Sequence, residues 1–205
     1  KQLVGEHKDI LFHPRSRFPW ENISGPYRGL HIIRDPRDLV VSACFYHQKS
    51  KETWLHKPRE ELDGLTIQQK INSFPSFSEK LAFQMEYMDT PQKMVEWNYS
   101  NENFIEVKYE DLIADNQLFL FHKVFDFLGF PGRYLPVLLK IAYQNSLFSG
   151  NLKQGVHHRS GKTQQWRQYF SSENKEQFIE RFGDALIDLG YEPDNQWVIR
   201  DTRQQ

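Results

Sequence analysis

The chain has 205 residues, enough for one sizeable domain around a single hydrophobic core. Its 26 basic and 27 acidic residues nearly cancel, which argues against a nucleic-acid-binding protein, because such proteins normally carry a basic excess. No apolar stretch approaches the roughly 20 residues of a membrane-spanning helix. We therefore predict one domain over residues 1–205, with no membrane span in this segment and no nucleic-acid partner.

The first predicted elements are a short strand end, a clear strand and a helix. They cover residues 10–13, 30–34 and 37–50, respectively. Residues 51–77 are polar and contain prolines and a glycine, so they are predicted as a loop or lid. Within this segment Thr66 is a candidate cap for a short helix that ends at Ile71.

The remaining elements again alternate between helix and strand. They are a helix over 78–98 that is interrupted near Thr90 and Pro91, a strand over 104–109, and helices over 117–128, 135–143 and 172–189. Strands separated by helices predict an α/β fold with a central, mostly parallel sheet flanked by helices.

The single cysteine, Cys44, excludes an intrachain disulfide and favours a reducing, cytoplasmic compartment. Its apolar neighbours predict a buried side chain rather than a nucleophile. No pair of His, Cys or carboxylate residues has the spacing of a metal site, so no metal is predicted.

The junction between the clear strand and the helix after it is the strongest functional signal. The segment GLHIIRDPRDLVVSACFYHQKS brings Arg34 to the strand end, places Pro36 at a helix start, and puts Ser42 eight residues after Arg34. Helix-start amides, a guanidinium and a hydroxyl suit a phosphate. Alternatively, Arg34 forms an ordinary surface ion pair with Asp35 or Asp38.

A second donor-rich segment occupies residues 158–170. Arg159, Ser160, Lys162 and Arg167 concentrate positive charge and a hydroxyl, and Gly161 permits a close backbone approach to an anion. The alternative is a solvated basic loop.

These segments, in this order, resemble the sulfotransferases that use 3'-phosphoadenosine 5'-phosphosulfate (PAPS). In that family an Arg and a Ser with this spacing hold the 3'-phosphate, which implies that role for Arg34 and Ser42. Arg159-Ser160-Gly161 is similar to the family's phosphate-binding Arg-Lys-Gly, and Trp166-Arg167 is similar to its Trp-Lys. Ser160 in place of Lys removes a charge, and Gln164 in place of a second Gly makes the loop less permissive.

The resemblance covers about residues 30–170 and includes Tyr109-Glu110-Asp111, where the family's Tyr lies near the adenine. It implies a P-loop NTPase-like fold and transfer of a sulfuryl group from PAPS to a hydroxyl or amine, which leaves adenosine 3',5'-bisphosphate. The acceptor is then a small molecule or a carbohydrate, with residues 51–77 as a lid near it. The oligomeric state is not readable.

His13 is the first candidate for the catalytic base, because it precedes Arg34 by 21 residues, an interval that resembles the one in the family's cytosolic branch. A structural or merely exposed His13 is an equal alternative. His47 and the pair His157 and His158 are secondary candidates.

Residues 1–29 contain no Gly-rich loop for the 5'-phosphosulfate. We expect that about 60 residues, a strand, loop and helix with their connector, precede this sequence. The alternative functions are a non-catalytic nucleotide-binding or scaffold domain and a P-loop-type nucleotide kinase, although a kinase should show a Walker-type loop.

Overall fold

The computed structural model describes residues 11–20, 23, 25–150 and 161–199. Within these residues the strands are β1 (Gly29–Ile33) and β2 (Phe104–Lys108). The helices are α1 (Pro36–Lys49), α2 (Ile67–Ser73), α3 (Phe77–Tyr87), α4 (Thr90–Val95), α5 (Tyr109–Ala114), α6 (Phe119–Phe127), α7 (Leu135–Gln144), α8 (Trp166–Tyr169), α9 (Ser172–Phe182) and α10 (Ala185–Asp188). The α/β class is confirmed.

The two strands pair in parallel, with Leu30 opposite Ile105 and His31 opposite Glu106. Parallel pairing needs a long crossover, and the chain between β1 and β2 supplies one that contains four α helices. Both strands lie within one residue of their predicted bounds.

The predicted strand at residues 10–13 is wrong over 11–13, which form no regular element. The chain turns instead of extending. Arg15 and Ser16 adopt left-handed backbone conformations, with φ of 64° and 52°, and the Arg17 amide donates to the Pro14 carbonyl over 3.4 Å. A turn next to a proline cannot continue a sheet ladder.

Two compact units divide the chain, which passes between them at positions 33/34, 92/93 and 151/152. In the first unit, which contains both strands, Phe18, Trp20, Trp97 and Phe104 form an aromatic cluster with ring centroids 4.8–6.1 Å apart. The second unit is mainly helical. Its fully buried side chains include Leu55, Ile67, Leu81, Trp166 and Phe178, and Cys44 is also fully buried, as expected.

Residues 51–77 are more ordered than predicted. Two single turns of 3-10 helix, Thr53–His56 and Glu60–Leu62, precede α2. The side chains of Leu55, Ile67 and Ile71 have no solvent exposure, so apolar residues spaced among charges pack this segment into the second unit. The Thr66 cap is confirmed, because its hydroxyl accepts from the Gln69 amide in a reciprocal capping box.

Two predicted long helices are each divided. The interruption near Thr90 and Pro91 is confirmed, since α3 ends at Tyr87 and α4 begins at Thr90. The continuous helix over 172–189 is wrong, because Gly183 adopts a φ of +56° and ends α9 before α10 begins.

Candidate functional site

Arg34 follows β1 directly and contacts the segment that begins at Gly161. Its Nη2 donates to the Lys162 carbonyl over 3.3 Å and lies 3.9 Å from Oδ2 of Asp38. The side chain keeps 16% of its surface exposed, whereas that of Asp38 has none. The predicted partner Asp38 is therefore present, but it is a buried group rather than a surface one.

Asp38 joins α1 to the loop before α8. Its Oδ1 accepts from the Trp166 amide over 3.0 Å. Burial raises the pKa of the Asp38 carboxyl, and Asp35 adds to that shift, while the Trp166 amide and Arg34 oppose it. Burying this carboxylate costs free energy, and its hydrogen bond with the Trp166 amide holds the loop beside Arg34.

Asp35 and Arg37 are structural. Asp35 caps α1 by accepting from the Arg37 amide (2.9 Å), and its carboxylate also accepts from Nε (3.0 Å) and Nη2 (2.7 Å) of Arg37. Glu192 accepts from Nη1 of the same guanidinium at 2.6 Å. The guanidinium stacks 3.8 Å from the Trp166 ring centroid and 4.8 Å from that of Trp197. This buried cluster fixes the start of α1.

Ser42 lies on α1, four residues after Asp38, and is half-buried. Side chains four apart on a helix lie on one face, with Cβ atoms roughly 5–6 Å apart. Ser42 is therefore one turn beyond Asp38, the residue that Arg34 approaches, on the same face of α1.

The described part of the second predicted segment has the backbone of a tight loop. Gly161 has a φ of +61°, and Gln164, at the position of the family's second Gly, has a φ of +55°. Gln164 is stabilised there by accepting from Nε of Arg167 through its side-chain oxygen (3.1 Å). The Gln therefore adopts a conformation that glycine favours. Arg159 and Ser160, like His157 and His158, lie outside the described residues.

Tyr109 and His13 belong to the first unit. Tyr109 is the first residue of α5, directly after β2, and is half-buried. His13 lines an open cleft of about 470 Å³ together with Ser16, Phe18, Trp20 and Trp97, among others. Within the described residues, the buried Nε2 of His13 has no hydrogen-bond partner.

Sequence reasoning missed a polar network in the first unit. His31 on β1 is buried, its Nδ1 lies 2.5 Å from Oε2 of Glu106, and its Nε2 lies 2.8 Å from the Ser16 hydroxyl. The available signal was one ionisable residue in the middle of each apolar strand. Pairing the two strands about their centres places His31 opposite Glu106.

Among residues 11–20, 23, 25–150 and 161–199, no group of three or more His, Cys, Asp or Glu side chains is placed to hold a metal ion. No helix in that same part of the chain has the length and apolarity to span a membrane.

Comparison with known proteins gives one family. The family described as "Sulfotransferase domain" matches residues 14–190, which include β1, α1, β2 and the loop before α8. No curated protein and no solved structure matches the chain significantly. Since the family match covers well over half of the sequence, the chain belongs to the sulfotransferase domain family.

Proposed function

We propose that this chain is a PAPS-dependent sulfotransferase, in which Arg34, Ser42, Arg159, Ser160 and Gly161 hold the 3'-phosphate and Tyr109 lies against the adenine. The reaction transfers a sulfuryl group from PAPS to a hydroxyl or amine of a small-molecule or carbohydrate acceptor and leaves adenosine 3',5'-bisphosphate. Membership of the sulfotransferase domain family supports the transfer chemistry, and the contacts of Arg34 support the assignment of the 3'-phosphate.

The observation that carries the proposal is the position of Arg34. It lies between the first turn of α1 and the loop that begins at Gly161, and it contacts both, through Asp38 and the Lys162 carbonyl. A planar guanidinium offers five N–H donors to phosphate oxygens. Ser42 adds a hydroxyl on the same face of α1. The two segments predicted separately to bind one phosphate are therefore adjacent at Arg34.

Calorimetric titration with adenosine 3',5'-bisphosphate and with adenosine 5'-phosphate tests the assignment. We expect the bisphosphate to bind more tightly, and Arg34→Ala to remove most of that preference. A charge-assisted hydrogen bond contributes about 1.5–3 kcal/mol, which corresponds to roughly 10- to 150-fold in affinity. Arg34→Lys should fall in between, because it keeps the charge without the fork.

Arg133→Ala is the matched control, because Arg133 is an exposed arginine of the other unit. It should bind both nucleotides as the unmodified protein does. Equal affinity for the two nucleotides, or an Arg34→Ala protein that keeps the preference, would sink the 3'-phosphate assignment.

The base is assigned to His13. Sulfuryl transfer forms a bond between the acceptor oxygen and sulfur and breaks the bond from sulfur to the 5'-phosphate oxygen, so the acceptor's proton needs a base. The unpartnered Nε2 of His13 and its place in an open cleft with aromatic walls support this role.

His13→Asn should lower kcat by about 10²–10⁴, the usual contribution of a general base, and leave the affinity for adenosine 3',5'-bisphosphate unchanged. The measurement is release of the bisphosphate with phenolic, alcoholic and sugar acceptors. Normal turnover in His13→Asn would remove His13 as the base. Nucleotide binding without transfer to any acceptor in the unmodified protein would favour a non-catalytic nucleotide-binding domain.

A further inference from the structure

The polar network around His31 has the connectivity of an activated serine. The Ser16 Oγ is 2.8 Å from His31 Nε2, and His31 Nδ1 is 2.5 Å from Oε2 of Glu106. The second oxygen of that carboxylate accepts from the indole Nε1 of Trp97 over 2.8 Å. The order hydroxyl, imidazole, carboxylate is the one that lowers the barrier to attack by a serine.

The contact with Glu106 assigns a proton to Nδ1 of the imidazole. A carboxylate only accepts hydrogen bonds, so the proton between His31 and Glu106 belongs to Nδ1. In the neutral ring Nε2 then carries a lone pair directed at the Ser16 hydroxyl. The ring also stacks on Trp97, with centroids 3.8 Å apart and planes 18° apart, which holds its orientation.

Ser16 is at a constrained and accessible position. Its backbone is left-handed at φ 52°, and Arg15 before it is left-handed at φ 64°. Such conformations in non-glycine residues are costly and cluster at functional sites. Ser16 also lines the open cleft of about 470 Å³, whereas His31 is only 6% exposed. The nucleophile thus lies at the cleft and its base lies beneath it.

We propose that Ser16, which lines the cleft that also contains His13, forms with His31 and Glu106 a reactive group with a chemistry distinct from sulfuryl transfer, which cleaves carboxylic esters through an acyl-serine. The Ser16 oxygen bonds to the ester carbonyl carbon as its proton passes to His31 Nε2. The ester C–O bond breaks, and the departing alcohol or phenol takes that proton. Water then attacks the acyl-serine, gives its proton to His31, and releases the acid as the serine regains its hydrogen.

The cleft favours aryl esters. The rings of Phe18, Trp20 and Trp97 line it, so a flat aromatic group finds stacking and edge contacts there. Lys93 and Glu96, which are paired with each other, also line it. Aryl esters are also the most reactive class, because a phenolate leaves readily.

The test uses the full chain without nucleotide, so its result does not depend on the proposed sulfotransferase activity. The protein is treated with diisopropyl fluorophosphate and then digested for mass spectrometry. We expect one adduct per chain, on Ser16, and p-nitrophenyl acetate hydrolysis that the adduct abolishes. Ser16→Ala should lose both, while Ser100→Ala, which alters an exposed serine of the same unit, should match the unmodified protein.

Glu106→Gln keeps the side-chain volume and an acceptor for Trp97 while removing the charge that orients His31. The rate of adduct formation should fall by at least about 10²-fold, as it does when a triad carboxylate is replaced by its amide. An unmodified protein without an adduct on Ser16, or equal rates in Glu106→Gln, would mean that the network only holds the turn in place.

A second variant covers the case in which Ser16→Ala does not fold. In Ser16→Cys the new thiol is the only one open to alkylation, since Cys44 is fully buried and burial raises its pKa to about 12. Iodoacetamide should alkylate the thiol at position 16 at least tenfold faster in Ser16→Cys than in the double variant that combines Ser16→Cys with Glu106→Gln. Equal rates would overturn the proposal.

Discussion

Arg34 and Arg37 lie three positions apart in the sequence but differ in burial and in their contacts. Arg37 is almost fully buried and is saturated by Asp35, Glu192 and two indole rings. Arg34 lies 3.9 Å from Oδ2 of Asp38, donates to the Lys162 carbonyl, and keeps 16% of its side-chain surface exposed. The motif Arg34-Asp35-Pro36-Arg37-Asp38 therefore contains one residue suited to a ligand among residues that hold the backbone.

At the residue scale, we predict that the difference in stability between the unmodified protein and Asp38→Asn depends on pH. Because burial raises the pKa of Asp38 in the folded protein, the native state binds this proton more tightly than the unfolded chain does. Its contribution favours folding at acid pH and is lost as the pH rises through the folded-state pKa. Asn cannot titrate but keeps an oxygen for the Trp166 amide.

Urea unfolding of both proteins between about pH 3 and pH 7 checks this prediction. The free energy of unfolding of the unmodified protein, relative to Asp38→Asn, should fall as the pH rises. A difference that stays constant, or grows with pH, would contradict a raised pKa.

At the scale of elements, Arg37 anchors the start of α1 to α8 and to the chain near Trp197. Arg37→Ala removes the guanidinium that donates to the Asp35 and Glu192 carboxylates and opens a space against Trp166. Removing one partner of a buried ion pair costs about 3–5 kcal/mol. Urea unfolding of Arg37→Ala should show a loss of that size in the free energy of unfolding, and Arg37→Lys should show an intermediate loss. Arg133→Ala should change it by no more than about 0.5 kcal/mol. A loss below about 1 kcal/mol in Arg37→Ala would show that the cluster contributes little.

The elements recovered from the sequence are those with a clear period and a clear boundary. Residues 30–34 and 104–109 alternate or run apolar between turn residues, and α1 begins at a proline with an aspartate cap. In residues 51–77 the pattern predicts the short helix after Thr66 but not the burial of Leu55, because a single leucine in a charged segment shows no period although it packs fully in the core.

The candidate site was predictable only in part. Arg34, Ser42 and Gly161 are proposed from local chemistry and from their order along the chain. The burial of Asp38 and its bond to the Trp166 amide are tertiary facts that no local pattern encodes. The network of Ser16, His31 and Glu106 depends on a strand register and on a left-handed turn, and neither follows from composition.

At the scale of the whole molecule, we predict a single unfolding transition despite the two compact units. Domain boundaries normally fall in flexible linkers rich in proline, glycine and polar residues. Two of the three passages between the units lie immediately after β1 and within helix α4. Scanning calorimetry should give equal calorimetric and van't Hoff enthalpies. Two resolved transitions would instead establish two independent domains and refute the single domain over residues 1–205.

The cluster around Arg37 also determines how late in translation the helical unit can complete its core. Arg37 is synthesised well before Trp166, Glu192 and Trp197, which enclose its guanidinium. At 5–20 residues per second, roughly 10–30 s separate positions 37 and 197 during synthesis. Throughout that interval α1 lacks its anchor, so the helical unit completes its core only when translation of this segment is nearly finished.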